Sequence, residues 1–429
     1  MASTETKPAA LRWLRLDNAA KIYPAARRRN WSNVFRQSVT LCEDVDKEVL
    51  QRALDVTVKR FPSIAARLRR GLFWYYLQQV ESAPELQEEH SHPLVFMSKE
   101  ETRRCAFRVI VWRNRIAVEF FHSLTDGTGA LIFLKSLTAE YLEQKNGVTI
   151  PAEFGVLDRG EPPRDAELED SFLKYSGPIP ASRKETDAWR MRCEPQPSGF
   201  LHLTCFHLPV QKTLELAHAH GVTLTAFLSA VLMQALVNLQ KEKVPSLRRR
   251  KRIKVLIPVN LRQLFPSETL RNFAMYTIPE LDPRLGEYSF DEICRLIQHK
   301  MGLELTAKHM SRMIAVNVND ERNPLVRPIP LPLKNLVMKA VFDSVGERKS
   351  CLTLSNVGAV QIPDAMKPFV RRFDFILGVQ AAAPYNCGVL SYGDTVYVNF
   401  IRNISQPELE RQFFAILRDM GLTVSVESN

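Results

Sequence analysis

Long apolar runs are missing from this chain, and so are the cysteine patterns that would staple it or hold a metal. Of 429 residues only seven are cysteine. Their number is odd and no Cys-x-x-Cys pair occurs, so neither a disulfide framework nor a zinc site is expected. A reducing, cytoplasmic setting follows. His90-Ser91-His92 and His218-Ala219-His220 are the densest histidine pairs. The second falls in a helical stretch, where an i, i+2 spacing points the rings apart, and the first has no third ligand nearby. Both read as surface histidines, and no metal is expected. The most apolar long segment, Leu224 to Leu239, is broken by Ser229, Gln234 and Asn238. A membrane span needs about 20 mostly apolar residues, so this segment reads as a buried core helix. Met1-Ala2-Ser3-Thr4-Glu5-Thr6-Lys7 lacks a basic segment followed by an apolar core, which argues against a secretory signal. No fixed-period repeat is present.

What remains is the composition of an ordinary soluble globular protein, 45% hydrophobic and 24% charged, in a chain long enough for two packed domains. Lys and Arg total 58 against 47 Asp and Glu, a net charge of +11. The dense basic clusters are Arg27-Arg28-Arg29 and Arg248-Arg249-Arg250-Lys251-Arg252. Neither is accompanied by a helix-turn-helix, zinc or aromatic-stacking signature, and both lie at element boundaries. They read as solvated loops, and no nucleic-acid partner is expected.

Strand-like and helical segments alternate in the first half. Leu11–Leu16 reads as a first short strand or entry turn, and Phe35–Leu41 as a clearer strand. Asp46 caps a helix to about Arg60, ended by Phe61-Pro62-Ser63. Strand-like segments follow at Leu72–Gln78, Pro93–Met97, Phe107–Trp112 and Arg115–Phe121. From about residue 147 to 199, seven prolines punctuate a charged, weakly periodic stretch that reads as a linker with one short helix near Asp165–Tyr175. The second half opens with a strand at Phe200–Leu208 and a helix at Val210–His220 closed by Gly221. Thr223 caps the apolar helix. Strands are expected at Ile253–Val259, Leu352–Gly358, Phe373–Leu377, Val389–Tyr392 and Val396–Phe400, with helices at Phe290–His309 and Pro407–Met420. The whole is mixed α/β.

One stretch concentrates the chemistry, Phe121-His122-Ser123-Leu124-Thr125-Asp126-Gly127-Thr128-Gly129. A buried strand gives out at His122, and a helix expected from Gly129 to Gln144, with Thr128 able to cap it, begins behind. This arrangement holds an imidazole rigidly while leaving one nitrogen for a substrate proton.

His122-Ser123-Leu124-Thr125-Asp126-Gly127 resembles the His-x-x-x-Asp-Gly signature of the chloramphenicol acetyltransferase-like superfamily. That group includes alcohol O-acetyltransferases, plant-type acyltransferases and the condensation domains of nonribosomal peptide synthetases. Many condensation domains carry two adjacent histidines; here Phe121 takes the first place and His122 the second, to which catalysis is usually assigned. The resemblance implies two similar lobes, each a mixed β-sheet with helices, and an active-site tunnel between them. Residues 1–150 would form the first lobe, 151–198 the linker and 199–429 the second lobe, in a monomer.

The resemblance also implies roles. His122 would be the general base of acyl transfer from a thioester, a task a neutral imidazole suits near pH 7. Asp126 would hold the turn through an arginine, with Arg262 the candidate partner and Arg15 its competitor. Gly127 would supply a backbone geometry that a side chain would block. Ser355-Asn356-Val357-Gly358 resembles the second-lobe segment that faces the histidine in alcohol acetyltransferases. Ser355 or Asn356 would then donate to the oxyanion or to the pantetheine arm, although an ordinary polar turn fits as well. The donor would be acyl-CoA, with no bound cofactor, and the acceptor an alcohol or, secondarily, an amine. The basic charge would steer such an anionic donor. A freestanding condensation domain working on an acyl carrier protein, and a catalytically silent binding protein, are the alternatives.

Overall fold

The computed structural model describes residues 12–27, 33–178, 186–191, 196, 199–322, 324, 327–342, 349–379 and 383–429. Leu11, Arg28 and Arg29, together with parts of the 151–198 linker, lie outside the described residues. The first lobe rests on a five-stranded sheet. In spatial order its strands are Val370–Ile376, Val34–Leu41, Arg115–Phe121, Phe107–Trp112 and Gln87–Glu88. All neighbours pair antiparallel except the last two. The central strands are buried on both faces, and their charged residues Arg36, Arg108 and Glu119 are clustered. Glu119, fully buried, accepts from Arg108 (2.6 Å) and lies 3.1 Å from the Arg36 guanidinium. A three-stranded sheet of Trp13–Arg15, Tyr75–Gln79 and Ala66–Arg70 joins this lobe where the Ala106 amide donates to the Ala66 carbonyl.

The second lobe is built on an eight-stranded mixed sheet. Its path runs Ala274–Thr277, Ile253–Asn260, Leu352–Ala359, Tyr385–Tyr392, Thr395–Arg402, His202–Pro209 and Ser425–Ser428, with Glu280–Leu281 added beside Ile253–Asn260. The apolar helix, Leu224–Lys243, is capped by Thr223, whose hydroxyl accepts from the Ala226 amide. By length and composition it could cross a membrane, but its residues from Ala226 to Gln240 are largely buried in the second core. Val370–Ile376, from the part of the chain assigned above to the second lobe, crosses back and pairs with Val34–Leu41, setting Phe373 opposite Val39.

Elements with strong caps and clean periodicity fall where the sequence reading places them. Asp46 accepts from the Glu48 and Val49 amides and opens Lys47–Arg60. Other expectations change. Leu72–Gln78 is not one strand but the turn and second arm of a hairpin. Pro93–Met97 is not a strand; its Leu94 amide is tied to the buried Glu119 carboxylate. The single helix expected at Phe290–His309 divides into Phe290–Glu304 and Ala307–Arg322, broken at Leu305-Thr306. The linker carries two short helices, Asp165–Leu168 and Ser171–Lys174. It is strapped to the first lobe by a buried bidentate pair, Arg60 to Glu167 at 2.5 and 2.7 Å.

Candidate active site

His122 leaves the central strand Arg115–Phe121 at the junction of the lobes, and every polar side chain from it to Asp126 is engaged by a distant segment. The His122 amide donates to the Asn33 carbonyl (2.9 Å) and the Ser123 hydroxyl to the Ala20 carbonyl (3.1 Å). The Thr125 hydroxyl donates to the Leu270 carbonyl (2.6 Å). Asp126 works with both oxygens. Oδ1 accepts from the Thr128 and Gly129 amides, both 3.1 Å, so Asp126 and not Thr128 caps the helix Gly127–Asn146. Oδ2 accepts from Arg262 Nη1 (2.7 Å) and the Phe273 amide (2.8 Å).

Arg262 stands on the short helical turn that follows the second-lobe strand Ile253–Asn260. Beyond Asp126, its guanidinium donates to the Thr269 and Arg271 carbonyls. The structure therefore brings Asp126 and Arg262 together across 136 residues. Arg15 lies elsewhere, its side chain exposed and its carbonyl accepting from Arg271.

The histidine itself is oriented by Asn272, a residue the sequence reading missed. The Asn272 amide nitrogen donates to the His122 carbonyl (3.0 Å) and to Asp17 Oδ2 (3.3 Å). Both of those partners are acceptors, so the NH₂ end is fixed, and Oδ1 faces His122 Nδ1 at 3.0 Å. An amide oxygen can only accept; Nδ1 therefore carries the proton, and Nε2 of the neutral ring holds the lone pair. Nε2 has no hydrogen-bond partner among the described residues, and it is not among their sealed-off buried atoms. The ring is clamped in plane by Tyr23, stacked at 4.5 Å, and by Phe35 at 4.9 Å. Burial pulls the His122 pKa below the ordinary imidazole value, outweighing the upward pull of its own carbonyl, Asp126 and Asn272. The ring thus stays neutral. Asp17, fully buried, holds the far end of this chain; its Oδ1 accepts from the Ala20 amide (2.7 Å) and its Oδ2 lies 3.8 Å from Arg271 Nε.

Two glycines matter here through space. Gly127 does not have a positive φ; a Cβ on it would stand 3.0 Å from Val357 Cγ1 and 3.6 Å from the Phe375 ring. Gly129 is the tighter case, since a Cβ would lie 2.2 Å from both the Leu270 carbonyl oxygen and the Thr125 hydroxyl. The Val357 contact places the Ser355–Gly358 segment, within the strand Leu352–Ala359, against the motif. In that segment Asn356 is committed at both ends: its amide nitrogen donates to the Thr225 hydroxyl (3.0 Å), 131 residues away, and its oxygen accepts from the Gly358 amide (2.8 Å). Ser355 is half-buried, and its hydroxyl has no partner among the described residues. Among the described residues no group of three or more His, Cys, Asp or Glu could hold a metal.

The element that completes the site is Thr269-Leu270-Arg271-Asn272-Phe273, which meets Arg262, Thr125, Asp17, His122 and Asp126 in turn. Its one sequence signal is a run of polar residues inside an apolar frame soon after Arg262.

No protein-family model matches the sequence, and no curated protein matches it. Solved structures do. TRI3, the trichothecene 15-O-acetyltransferase of Fusarium sporotrichioides, is 12% identical over 95% of this chain and 94% of its own, with a TM-score of 0.60. TRI101 of F. graminearum, in complex with coenzyme A and T-2 mycotoxin, is 11% identical over 96% of this chain and 99% of its own, with a TM-score of 0.62. The first condensation domain of the CDA synthetase is 13% identical over 96% and 94%, with a TM-score of 0.54. What they share with this chain, over nearly its whole length, is the fold.

Proposed function

We propose that this chain, a two-lobed protein of the chloramphenicol acetyltransferase-like fold, is an acyltransferase that moves an acyl group from acyl-CoA to a hydroxyl or amine, with His122 as general base. One observation carries the reading: a neutral imidazole whose Nδ1 proton is fixed by Asn272 and whose Nε2 is unpartnered, at the junction of two lobes. Nε2 takes the acceptor's proton as its oxygen or nitrogen attacks the thioester carbonyl. The tetrahedral oxyanion then collapses, the carbon–sulfur bond breaks, and the imidazolium returns the proton to the departing thiolate. Ser355, with its uncommitted hydroxyl, is the better oxyanion or pantetheine donor of the pair proposed, because both ends of the Asn356 amide are already engaged, by Thr225 and Gly358. Asp126 and Arg262 hold the turn and do not touch substrate.

Acyl-CoA is a substrate here and coenzyme A a product, and no step calls for a bound cofactor. The cysteines among the described residues are free, which supports work in a reducing compartment such as the cytoplasm. The fold is shared with condensation domains, so a carrier-protein thioester is the second reading. A panel of acyl-CoA and acyl-carrier-protein donors separates the two, assayed for acylated product with pooled alcohols and amines. Product from CoA thioesters supports the first reading. Product from carrier thioesters alone replaces it with the second, and no product from either donor class contradicts both.

A further inference from the structure

The hairpin tip Gly71-Leu72-Phe73-Trp74 and the helix Leu331–Val341 form an inverted surface. The helix docks on the tip through polar groups. The Leu331 amide donates to the Leu72 carbonyl (2.9 Å), and Lys334 Nζ donates to the Arg327 (2.9 Å) and Phe73 (3.3 Å) carbonyls. The Lys334 ammonium sits 3.8 Å from the centre of the Trp74 ring, and the Asn335 amide donates to the Tyr75 hydroxyl (3.0 Å). Lys334 and Asn335 thus face the protein. The i, i+3, i+4 set Leu333, Leu336 and Val337 faces solvent, at 52, 65 and 54% exposed, beside Leu72 at 71% and Phe73 at 40%. A surface helix ordinarily does the reverse, and a contiguous exposed apolar patch marks an interaction surface.

The tip Leu72-Phe73 belongs to the patch, and on the hairpin face opposite the helix, where Tyr76 alternates with the helix-facing Tyr75, lies a basic, aromatic groove of about 490 Å³. Its walls include Arg69, Arg70 and Arg103 together with Trp13 and Tyr76, which stack at 4.8 Å. Arg69 is held by the neutral Gln78 amide (2.9 Å). Among the described residues none of these three arginines has a carboxylate within 4 Å, although neighbouring Arg108 is paired with Glu101 and Glu119. Guanidinium groups left without counter-charge, in a chain of net charge +11, are complementary to an anionic partner.

We propose that this hairpin tip, with the helix and the groove that flank it, docks edge-on on an anionic phospholipid bilayer. Leu72, Phe73, Leu333, Leu336 and Val337 enter the headgroup–acyl boundary, Arg69, Arg70 and Arg103 take lipid phosphates, and the Trp13–Tyr76 pair sits at the interface. Aliphatic side chains standing on a hairpin tip and an outer helix face, bordered by arginine and interfacial aromatics, are the arrangement of a peripheral membrane anchor. The proposal is independent of the chemistry at His122.

Co-sedimentation of the full chain with vesicles tests it. Phosphatidylcholine vesicles are compared with phosphatidylcholine–phosphatidylserine vesicles at low and high salt. The expected result is binding to the anionic vesicles that weakens with salt. It falls on the order of tenfold or more in a Leu72→Asp/Leu336→Asp variant and in an Arg69→Gln/Arg70→Gln/Arg103→Gln variant. Leu72, Leu336, Arg70 and Arg103 are exposed and Arg69 half-buried, and thermal melts verify that both variants fold. Three results overturn the proposal. The first is no enrichment on anionic vesicles, or enrichment that both variants retain. The second is full displacement by inorganic phosphate or soluble glycerophosphoserine, which marks a free-phosphate site. The third is a dimer in sedimentation velocity that Leu336→Asp dissolves, which gives the face to a second copy.

Discussion

Two polar segments meet where the lobes touch, and they carry their load differently. In the His122–Asp126 turn several side chains share it: they reach Ala20, Leu270, Asn272, Phe273 and Arg262, and Asp126 also caps its own helix. In the strand segment Ser355–Gly358 one side chain, Asn356, bears it, reaching Thr225 at the start of the core helix and holding the Gly358 amide. The first network fixes an imidazole and leaves one basic nitrogen over. The second fixes a backbone and leaves one hydroxyl over. In the proposed mechanism the chemistry falls to those two atoms, each on a support already made rigid.

The comparison can be broken from the first turn outward. His122→Ala should remove about 10²–10⁴ of the acyl-transfer rate and cost about 1–3 kcal/mol of stability, because it leaves Asn272 Oδ1 without its partner and takes the ring from between Tyr23 and Phe35. Asp126→Ala should cost about 3–5 kcal/mol in denaturant unfolding, because it strands a buried arginine whose pair is 6 and 12% exposed. Arg262→Ala should cost as much. The double variant should cost less than the sum of the two, a coupling that a double-mutant cycle reads.

Asn272→Asp sharpens the comparison through pH. His122's pKa is lowered by burial, so the acid limb of kcat/KM should lie below 6.5. A carboxylate accepting the Nδ1 proton stabilises the imidazolium and should move that limb to higher pH. A residue that only filled space would leave it in place. The sign for stability is the same: the unfolded chain takes the His122 proton first, so this residue weakens folding as pH falls below 6.5. The smallest effect belongs to the second segment. Asn356→Ala should cost about 1 kcal/mol for its lost hydrogen bonds and leave the acid limb unmoved.

Much of this was legible in sequence, for physical reasons. Lys47–Arg60 and Phe107–Trp112 stand where caps and periodicity put them, because local propensity and tertiary burial agree there. The motif could be read because a strand, a turn and a helix carry it in nine consecutive residues. Asn272 and Asp17 could not, because they act on His122 from 150 and 105 residues away and their own neighbourhoods have no regular period. Gly127 was noticed for its backbone, but packing against Val357 constrains it, and Gly129, pressed on Leu270, is constrained more. The crossing of Val370–Ile376 into the first sheet is also a purely tertiary fact; an alternating strand sequence does not say which sheet it joins.

The most direct test of the account is acceptor-dependent thiol release from acyl-CoA by wild type and His122→Ala, with both proteins verified as folded by circular dichroism. The account predicts release that requires an alcohol or amine and falls by at least about 100-fold in the variant. Equal release from the two proteins would contradict His122 as the base.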